Sequence, residues 1–409
     1  MNTNRNWKKD TILFLTSQTI SLLGSSLVQY AIMWYITLKT QSGIMMTISI
    51  ICGFLPTFFL SPFAGVWADR YNRKLLIMLS DSLIAISTLI VAILFLMGFH
   101  DLWMFFIVSV IRSVGSGIQT PAISAFIPQL VPEESLTKVN ATNSSIQSLV
   151  MLVSPMLSGL LLTKAPIEMI FFIDVVTAII AVLILLIFLK VPIHKKALEK
   201  SKISYFGDMK EGFHYINNHK FIKIFCIFNA LFFILAAPVA FLTPLQVTRS
   251  FGDDIWRLTA IEITFSIGMM AGGLLMATWG GFKNKIHTMV LANLIIGFCT
   301  FALGLIPVFW IYLTFMTICG FAMPIFNTTF TVLLQQKVEE NFMGRVFGVF
   351  GMITSIMMPV GMLVFGPIAD YVKIEWLLLG TGIMLCVLCF FLAGNKTLIE
   401  IGKPEPQNN

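Results

Sequence analysis

The chain has 409 residues, of which 57% are hydrophobic and 11% are charged, and its formal net charge is +7. Soluble globular proteins carry about 25% charged residues, so this composition excludes a soluble enzyme, a nucleic-acid-binding protein and a disulfide-stabilised scaffold. The hydrophobic share amounts to about 233 residues, close to the roughly 240 that twelve membrane-spanning helices need at about 20 residues each. We therefore predict an all-α integral membrane protein with twelve transmembrane helices.

Twelve apolar runs, each bounded by charged residues, proline or glycine, mark these helices, because open strands cannot satisfy their backbone hydrogen bonds in lipid. In chain order they cover residues 11–38, 43–67, 75–97, 102–125, 139–163, 166–189, 221–246, 258–280, 287–305, 307–334, 346–370 and 373–393. With the N-terminus in the cytoplasm, 20 of the 27 Lys and Arg residues fall in inside segments and 5 in outside loops. This asymmetry predicts that both termini are cytoplasmic.

The longest polar stretch, residues 190–220, separates an N-terminal six-helix bundle (1–189) from a C-terminal one (221–409). Within it Phe206, Met209, Phe213 and Ile216 recur at helical spacing, which predicts a short amphipathic helix on the inner membrane surface. A plain solvated linker is the alternative.

The two halves of the chain are internal repeats. A shift of 207 residues aligns Lys138 with Arg345, and a shift of 212 aligns Arg73 with Lys285. Parallel repeats of six helices are typical of transporters that rock around a substrate site near the membrane midplane. We expect two pseudo-symmetric bundles of this kind.

The turn after span 2 places an acid and three basic residues within a few positions. It reads Gly65-Val-Trp-Ala-Asp69-Arg70-Tyr-Asn72-Arg73-Lys74. Gly65 is expected to allow close helix approach, and the charged residues to form an ion network or meet a helix terminus.

This turn resembles the signature loop of the major facilitator superfamily, usually G-x-x-x-D-R-x-G-R-K. Asn72 replaces the second glycine, and asparagine also tolerates left-handed backbone geometry. The resemblance implies that Asp69 locks one state of a carrier against the start of span 11, near Arg345. Simple retention of basic residues on the inner side accounts for the cations of the motif but not for Asp69.

Arg112 lies about ten residues into span 4, roughly 15 Å deep at 1.5 Å per residue. An arginine there costs at least about 2.5 kcal/mol unless it faces protein or water. The sequence from Arg112 to Gly117 resembles the superfamily motif R-x-x-x-G-x-G, which recurs in proton-coupled members and implies a fixed positive charge acting on a nearby carboxylate. A structural arginine bonded to backbone carbonyls is the alternative.

Three carboxylates also lie within spans: Asp81 in span 3, Asp174 in span 6 and Glu262 in span 8. Because an ionised carboxylate in hydrocarbon is costly, a reversible proton carrier is expected among them. Asp174 and Asp81 are about two turns deep, whereas Glu262 is about one turn from the outer interface. With Arg112 they are the candidates for proton coupling, and each acid can instead be a structural partner for Arg112 or another buried polar group.

Span 5 contains Ser154-Pro155-Met-Leu-Ser158-Gly159, which is similar to a degraded form of the superfamily's antiporter motif G-P-x-x-G-G. Pro155 would bend the helix, while Ser158 and Gly159 would allow tight packing. The resemblance favours export over import, and a generic helix kink is the alternative.

Polar residues recur on single faces of several spans, which indicates helix contacts or a water-filled cavity rather than lipid. The candidates for a substrate cavity are Gln18, Ser25 and Gln29 in span 1, Asn143 and Gln147 in span 5, Asn229 in span 7 and Asn327 in span 10. Neutral amides, together with 23 Met and 37 Phe, suit a large apolar ligand.

The sequence predicts no metal site and no cofactor. The six Cys all lie in spans, the five His form no paired ligand spacing, and no G-x-x-x-x-G-K-[ST] loop occurs. Because that loop is what would bind ATP phosphates, any energy is expected to come from an ion gradient, here of protons.

Over essentially its full length the chain also resembles the Mef-type macrolide-efflux branch of drug and proton antiporters. The likeness includes Gly53-Phe-Leu-Pro56, Val131-Pro-Glu-Glu134, Ile173-Asp-Val175 and Gly344-Arg-Val-Phe347. It implies proton-coupled export of lipophilic drugs, macrolides first, by a monomer in the bacterial cytoplasmic membrane, with the small substrate, protons and lipids as partners and no nucleic acid. The alternatives are a siderophore or metabolite exporter or importer and, more distantly, a membrane sensor, a partner-binding subunit or a membrane-embedded enzyme.

Overall fold

A computed structural model of the chain describes residues 7–189, 211 and 214–401. Twelve helices in these ranges are long and apolar enough to cross a membrane, as predicted. They are α1 (Trp7–Thr40), α2 (Gly43–Arg70), α3 (Arg73–Leu96), α4 (Leu102–Leu130), α5 (Leu136–Lys164), α6 (Ile167–Leu183), α7 (Lys220–Phe241), α8 (Ile255–Trp279), α9 (Lys285–Leu303), α10 (Phe309–Lys337), α11 (Glu340–Tyr371) and α12 (Ile374–Gly394). No strand occurs in the described ranges.

Four shorter elements adjoin these helices. They are a 3-10 turn (Glu133–Ser135), a π-helical turn (Ile184–Phe188) that extends α6, and helices Thr243–Ser250 and Lys396–Ile401. The seventh predicted span, residues 221–246, lies within one candidate membrane span, Lys220–Ser250, in which Leu242 joins the two helical pieces with right-handed helical dihedral angles. Pro244 opens the second piece, where its missing N–H costs no hydrogen bond.

The chain divides into two compact units. The first contains residues 1–36 and 48–203, and the second contains residues 37–47 and 204–409. The division by sequence, at the polar stretch 190–220, differs in one respect, because the turn that joins α1 to α2 groups with the second unit. Of the predicted amphipathic helix, Phe206, Met209 and Phe213 lie outside the described residues, while residues 214–218 are helical and Ile216 is buried.

Equivalent helices pack together within each unit. In the first unit α3 packs against α4 and α6, and in the second α9 packs against α10 and α12. Since α9, α10 and α12 occupy the same places in the second half as α3, α4 and α6 in the first, this packing agrees with the predicted six-helix repeat.

Each unit also has its own apolar interior. One cluster in the first unit contains Phe14, Ile77 and Phe126, with the Phe14 and Phe126 rings in edge contact. In the second unit α8 and α10 approach so closely that a Cβ on Gly272 would overlap the backbone carbonyl of Phe321. Small residues at such crossings let helix backbones meet in a membrane, where packing replaces the hydrophobic driving force.

The turns before α3 and α9 place asparagine caps and basic residues at positions 212 apart, although the amide that each cap accepts from differs by one residue. Asn72 accepts from Leu75 N, and Asn284 accepts from Ile286 N, so each asparagine caps a helix N-terminus. The next residue then donates backwards: Arg73 Nε to the Ala68 carbonyl and Lys285 Nζ to the Gly280 carbonyl, both at 2.8 Å.

One expectation for the α2–α3 turn is wrong. Gly65 does not mediate close helix packing, since no described atom lies within 4 Å of the position its Cβ would occupy. Asn72, which stands where the signature loop has glycine, is extended, with φ −64° and ψ 109°, and its side chain faces the free amides at the start of α3.

Candidate coupling site

Arg112 and Asp174 form a buried ion pair in the first unit. Arg112 lies on α4 and is 9% exposed, and Asp174 lies on α6 and is fully buried. The Nη1 atom of Arg112 lies 2.5 Å from Oδ2 of Asp174. A buried charge is tolerated only when it is paired and hydrogen-bonded. Asp174 is therefore the acid that neutralises Arg112.

Neighbouring helices hold this pair in place. Arg112 donates to Thr88 Oγ1 at 2.7 Å and to the Ser25 carbonyl at 2.9 Å, while the hydroxyls of Thr88 and Ser25 donate to Asp174 at 3.1 and 3.2 Å. A Cβ on Gly24 would overlap the Thr177 side chain of α6. The close approach of α1 and α6 at Gly24 therefore brings Ser25 within reach of the acid.

Asp81 forms a second polar centre with different partners. It lies on α3, is 2% exposed, and its Oδ1 accepts from Ser21 Oγ at 2.5 Å and from Gln119 Nε2 at 2.8 Å. Gln119 Nε2 also lies 3.4 Å from Oε1 of Gln18, one of the predicted cavity residues. The Oδ2 atom of Asp81 is buried and has no hydrogen-bond partner among the described residues.

The two centres lie one above the other on the same helices. Thr88 follows Asp81 by seven residues on α3, and Gln119 follows Arg112 by seven residues on α4. Seven residues are about two turns, or roughly 10 Å. Gln119 and Thr88 were not among the predicted site residues, although their spacing from the charged residues places each pair on one helix face.

The third acid and the other cavity candidates lie apart from these centres. Glu262 on α8 is half-buried and makes no hydrogen bond or ion pair with the described residues. Asn229 on α7 is fully buried, with neither side-chain polar atom bonded within the described structure. Asn143 is half-buried, whereas Gln29, Gln147 and Asn327 are exposed.

The Pro155 segment of α5 mediates helix packing. Pro155, Ser158 and Gly159 are all buried, and Ser158 Oγ donates to the Leu27 carbonyl of α1 at 3.1 Å. A small residue at this position lets α5 lie against α1. Ser158 thus makes a direct hydrogen bond between α5 and α1.

The cations of the α2–α3 turn have specific positions. Arg73 also donates to the Ala125 carbonyl, and Lys74 donates to the Leu189 carbonyl at 2.7 Å, whereas Arg70 is exposed. The side chain of Asp69 lies outside the described part of the structure. Its expected neighbour Arg345 pairs with Glu211 of the linker at 3.1 Å.

A further charged cluster, which sequence analysis did not identify, lies in the second unit at the end of α11. Asp370 accepts from the backbone amides of Gly43 and Ile44 and from the Ser42 hydroxyl. Arg249 pairs with Asp370 at 3.0 Å and also donates to the Ala369 and Gln41 carbonyls. Asp370 ends a predicted span, where a charge is ordinary, so the sequence carried no signal for these contacts.

The chemistry available at these centres is proton and cation binding. Among the described residues no group of three metal-ligating side chains occurs. The two centres together contain one cation and two acids, which are hydrogen-bonded to neutral hydroxyl and amide groups. Buried ionisable residues of this kind mark ion and substrate pathways in membrane proteins.

Comparisons with known proteins agree with this reading of the chain. The sequence profile described as Major Facilitator Superfamily matches residues 14–362. Macrolide efflux protein A of Streptococcus pyogenes is 30% identical over 390 residues, which cover 95% of this chain and 96% of that protein. The staphyloferrin A transporter of Staphylococcus aureus is 22% identical over 404 residues, covering 96% of this chain and 98% of that protein.

A solved structure extends the comparison to the fold. The crystal structure of the nucleoside transporter NupG has a TM-score of 0.71 and 19% identity, and the match covers 95% of this chain and 99% of that one. The twelve-helix architecture is therefore one already seen in a membrane transporter.

Proposed function

Since the chain belongs to the Major Facilitator Superfamily and is a multi-pass membrane transporter, we propose that it exports lipophilic drugs, macrolides first, in exchange for protons. The observation that carries this proposal is the buried Arg112–Asp174 pair, with the second acid Asp81 on the same helix faces. Burying three ionisable groups in a membrane is costly. Apolar packing would stabilise the bundle without that cost, so their presence favours a role in moving charge.

The choice of substrate rests on the near full-length similarity to macrolide efflux protein A. Lipophilic amines such as macrolides are cations at neutral pH, and exchange of such a cation for a proton needs an acid that can be neutralised by either. The many methionine and phenylalanine side chains suit a large apolar body. We further propose that both termini are cytoplasmic, that the protein works as a monomer by alternating access, and that the proton gradient is its only energy source.

The proposal is tested by drug accumulation in a bacterial host that lacks its own macrolide exporters. Cells making the protein should accumulate less erythromycin than cells with an empty vector, and an uncoupler should abolish the difference. For variants of the buried acids, Asp101→Asn is the matched control. Asp101 is an exposed acid before α4 whose side chain makes no capping bond. Export that persists after the proton gradient collapses would refute proton coupling.

A second candidate is export or import of a siderophore or another metabolite. It is favoured by the similarity to the staphyloferrin A transporter, which also extends over nearly the whole chain. Transport of a labelled panel containing macrolides, lipophilic cations and a siderophore into inside-out vesicles separates the two. Uptake of the siderophore alone would favour this second candidate.

A further inference from the structure

The first unit contains two buried acids, and the structure gives them different surroundings. We propose that Asp81 binds and releases the transported proton, whereas Asp174 stays ionised as the permanent partner of Arg112. This assignment rests on the proposed proton-coupled transport and specifies which residue performs it.

Asp174 is poorly placed to take up a proton. Its Oδ2 lies 2.5 Å from a guanidinium nitrogen and accepts from Thr88, while its Oδ1 accepts from Ser25. Protonation would leave Arg112 as an unpaired charge that is only 9% exposed. Breaking a buried pair in this way is among the costliest single changes in a protein.

Asp81 has the opposite environment. No described cation bonds to it, and its two hydrogen-bond donors, Ser21 of α1 and Gln119 of α4, are neutral. Both donors bind Oδ1, which leaves Oδ2 buried and unpartnered. An ionised carboxylate with one orphaned oxygen is unfavourable in a dry site. A proton on Oδ2 removes the charge and leaves the Oδ1 hydrogen bonds in place.

Charge counting supports the same assignment. Among the described residues, the charged group that acts on Asp81 is Asp174 of α6, and Arg112 of α4 neutralises Asp174. Gln18 and Ser21 of α1 and Gln119 of α4 add no charge. The centre is therefore neutral when Asp81 carries a proton and has one excess negative charge when it does not. One bound cation, such as a protonated amine, restores neutrality.

The exchange then balances without any further component. Asp81 loses its proton to water on the side where the cationic substrate binds, the substrate leaves on the other side, and a new proton binds Oδ2 there. Asp81 lies eight residues from the start of α3, or about 12 Å along the helix. In the proposed orientation this end of α3 is cytoplasmic, where the substrate is collected.

The test compares Asp81→Asn with Asp174→Asn in inside-out vesicles and in purified form. We expect Asp81→Asn, which mimics the protonated acid, to lose proton release on addition of erythromycin and to lose pH-driven uptake. It should retain exchange of a labelled for an unlabelled uncharged drug at equal pH, because that exchange needs neither net proton movement nor a counter-charge at position 81. Asp174→Asn should lose exchange as well, since Arg112 is then unpaired. Size-exclusion chromatography confirms that each variant is folded.

The outcomes separate the assignment from the proposed function. If the wild-type protein releases no proton on binding any drug of the panel, proton coupling itself fails. If the wild type does, and Asp81→Asn still releases protons and concentrates drug, the assignment is overturned. Retained exchange with lost proton release in Asp174→Asn, but not in Asp81→Asn, would reverse the two roles.

Two substitutions that each remove a single hydroxyl test the same assignment if the carboxylate variants fail to fold. Ser21→Ala removes a donor to Asp81, so the pH midpoint of proton release should move by about one unit. Ser124→Ala is the matched control, since Ser124 is exposed on α4 and bonds only within its own helix. An unmoved midpoint in Ser21→Ala would count against Asp81 as the proton site.

Discussion

The Oδ1 atom of Asp370 lies 2.6 Å from the backbone nitrogen of Gly43, the first residue of α2. The first amides of a helix have no partner within the helix, and a carboxylate is the group best suited to accept from them. Asp370→Ala should therefore loosen residues 41–47. We expect amide exchange there to quicken by roughly tenfold or more, given the strength of charged hydrogen bonds.

Hydrogen exchange followed by mass spectrometry provides the measurement for Asp370→Ala. Asp254→Ala is the control, since its ion pair with Arg257 is local and Asp254 is exposed. Equal exchange of residues 41–47 in both variants would mean that Asp370 does not hold the start of α2.

The effects of substituting Arg112 and Asp174 on stability should not be additive, because the two charges neutralise each other. Arg112→Ala is expected to cost about 3–5 kcal/mol of stability, because it leaves Asp174 ionised and unpaired. The double variant Arg112→Met, Asp174→Leu should be more stable than Arg112→Ala, since neither member of the pair then remains as an unpaired buried charge. Thermal unfolding in detergent measures both, and drug export should be lost in both. A double variant less stable than Arg112→Ala would contradict a coupled pair.

The crossing of α8 and α10 depends on glycine at one position and not at the next. Gly272→Leu should overpack the crossing and cost about 1–3 kcal/mol or more, because its Cβ would meet the Phe321 carbonyl. Gly273→Leu, whose Cβ meets no described atom within 4 Å, should insert and unfold like the wild type. The yield of monodisperse protein and the unfolding temperature report the difference. Equal loss in both variants would point to helix propensity or lipid contact instead of the crossing.

The two helix caps should contribute separately. Asn72→Ala and Asn284→Ala are each expected to cost about 1 kcal/mol, and the double variant their sum, because the two turns lie in different units. Asn72→Gly should cost only a few tenths of a kcal/mol. Chemical unfolding in mixed micelles measures these differences. A gain in stability for Asn72→Gly would indicate that the extended backbone at Asn72 is not the stable one.

The sequence predicted the fold well because lipid imposes simple rules. Runs of apolar residues must become helices when no water can satisfy their backbone, so all twelve spans could be placed within a few residues. The seventh span was also placed by its apolar run, although Pro244 begins a second helical piece after Leu242.

The coupling site was only partly predictable. The cost of a charge in lipid singled out Arg112, Asp81 and Asp174, but not which acid meets the arginine, because that depends on how α3, α4 and α6 are rotated. A neutral partner such as Gln119 has no comparable cost of burial in lipid, so the sequence does not single it out. Asp370 was not predicted because it ends a span, where a charge is ordinary, and because two of its partners are backbone amides, which the sequence pattern does not show.

The matching turns before α3 and α9 bear on the origin of the chain. Asparagine caps both helices, and a cation one residue later bonds a carbonyl five residues back in each case, although that cation is arginine in one turn and lysine in the other. Such agreement is what tandem duplication of a single six-helix ancestor would leave behind, with the bonding geometry retained while side chains drifted. The two turns should therefore be interchangeable between the halves, because each already makes the same kinds of bond at the equivalent position.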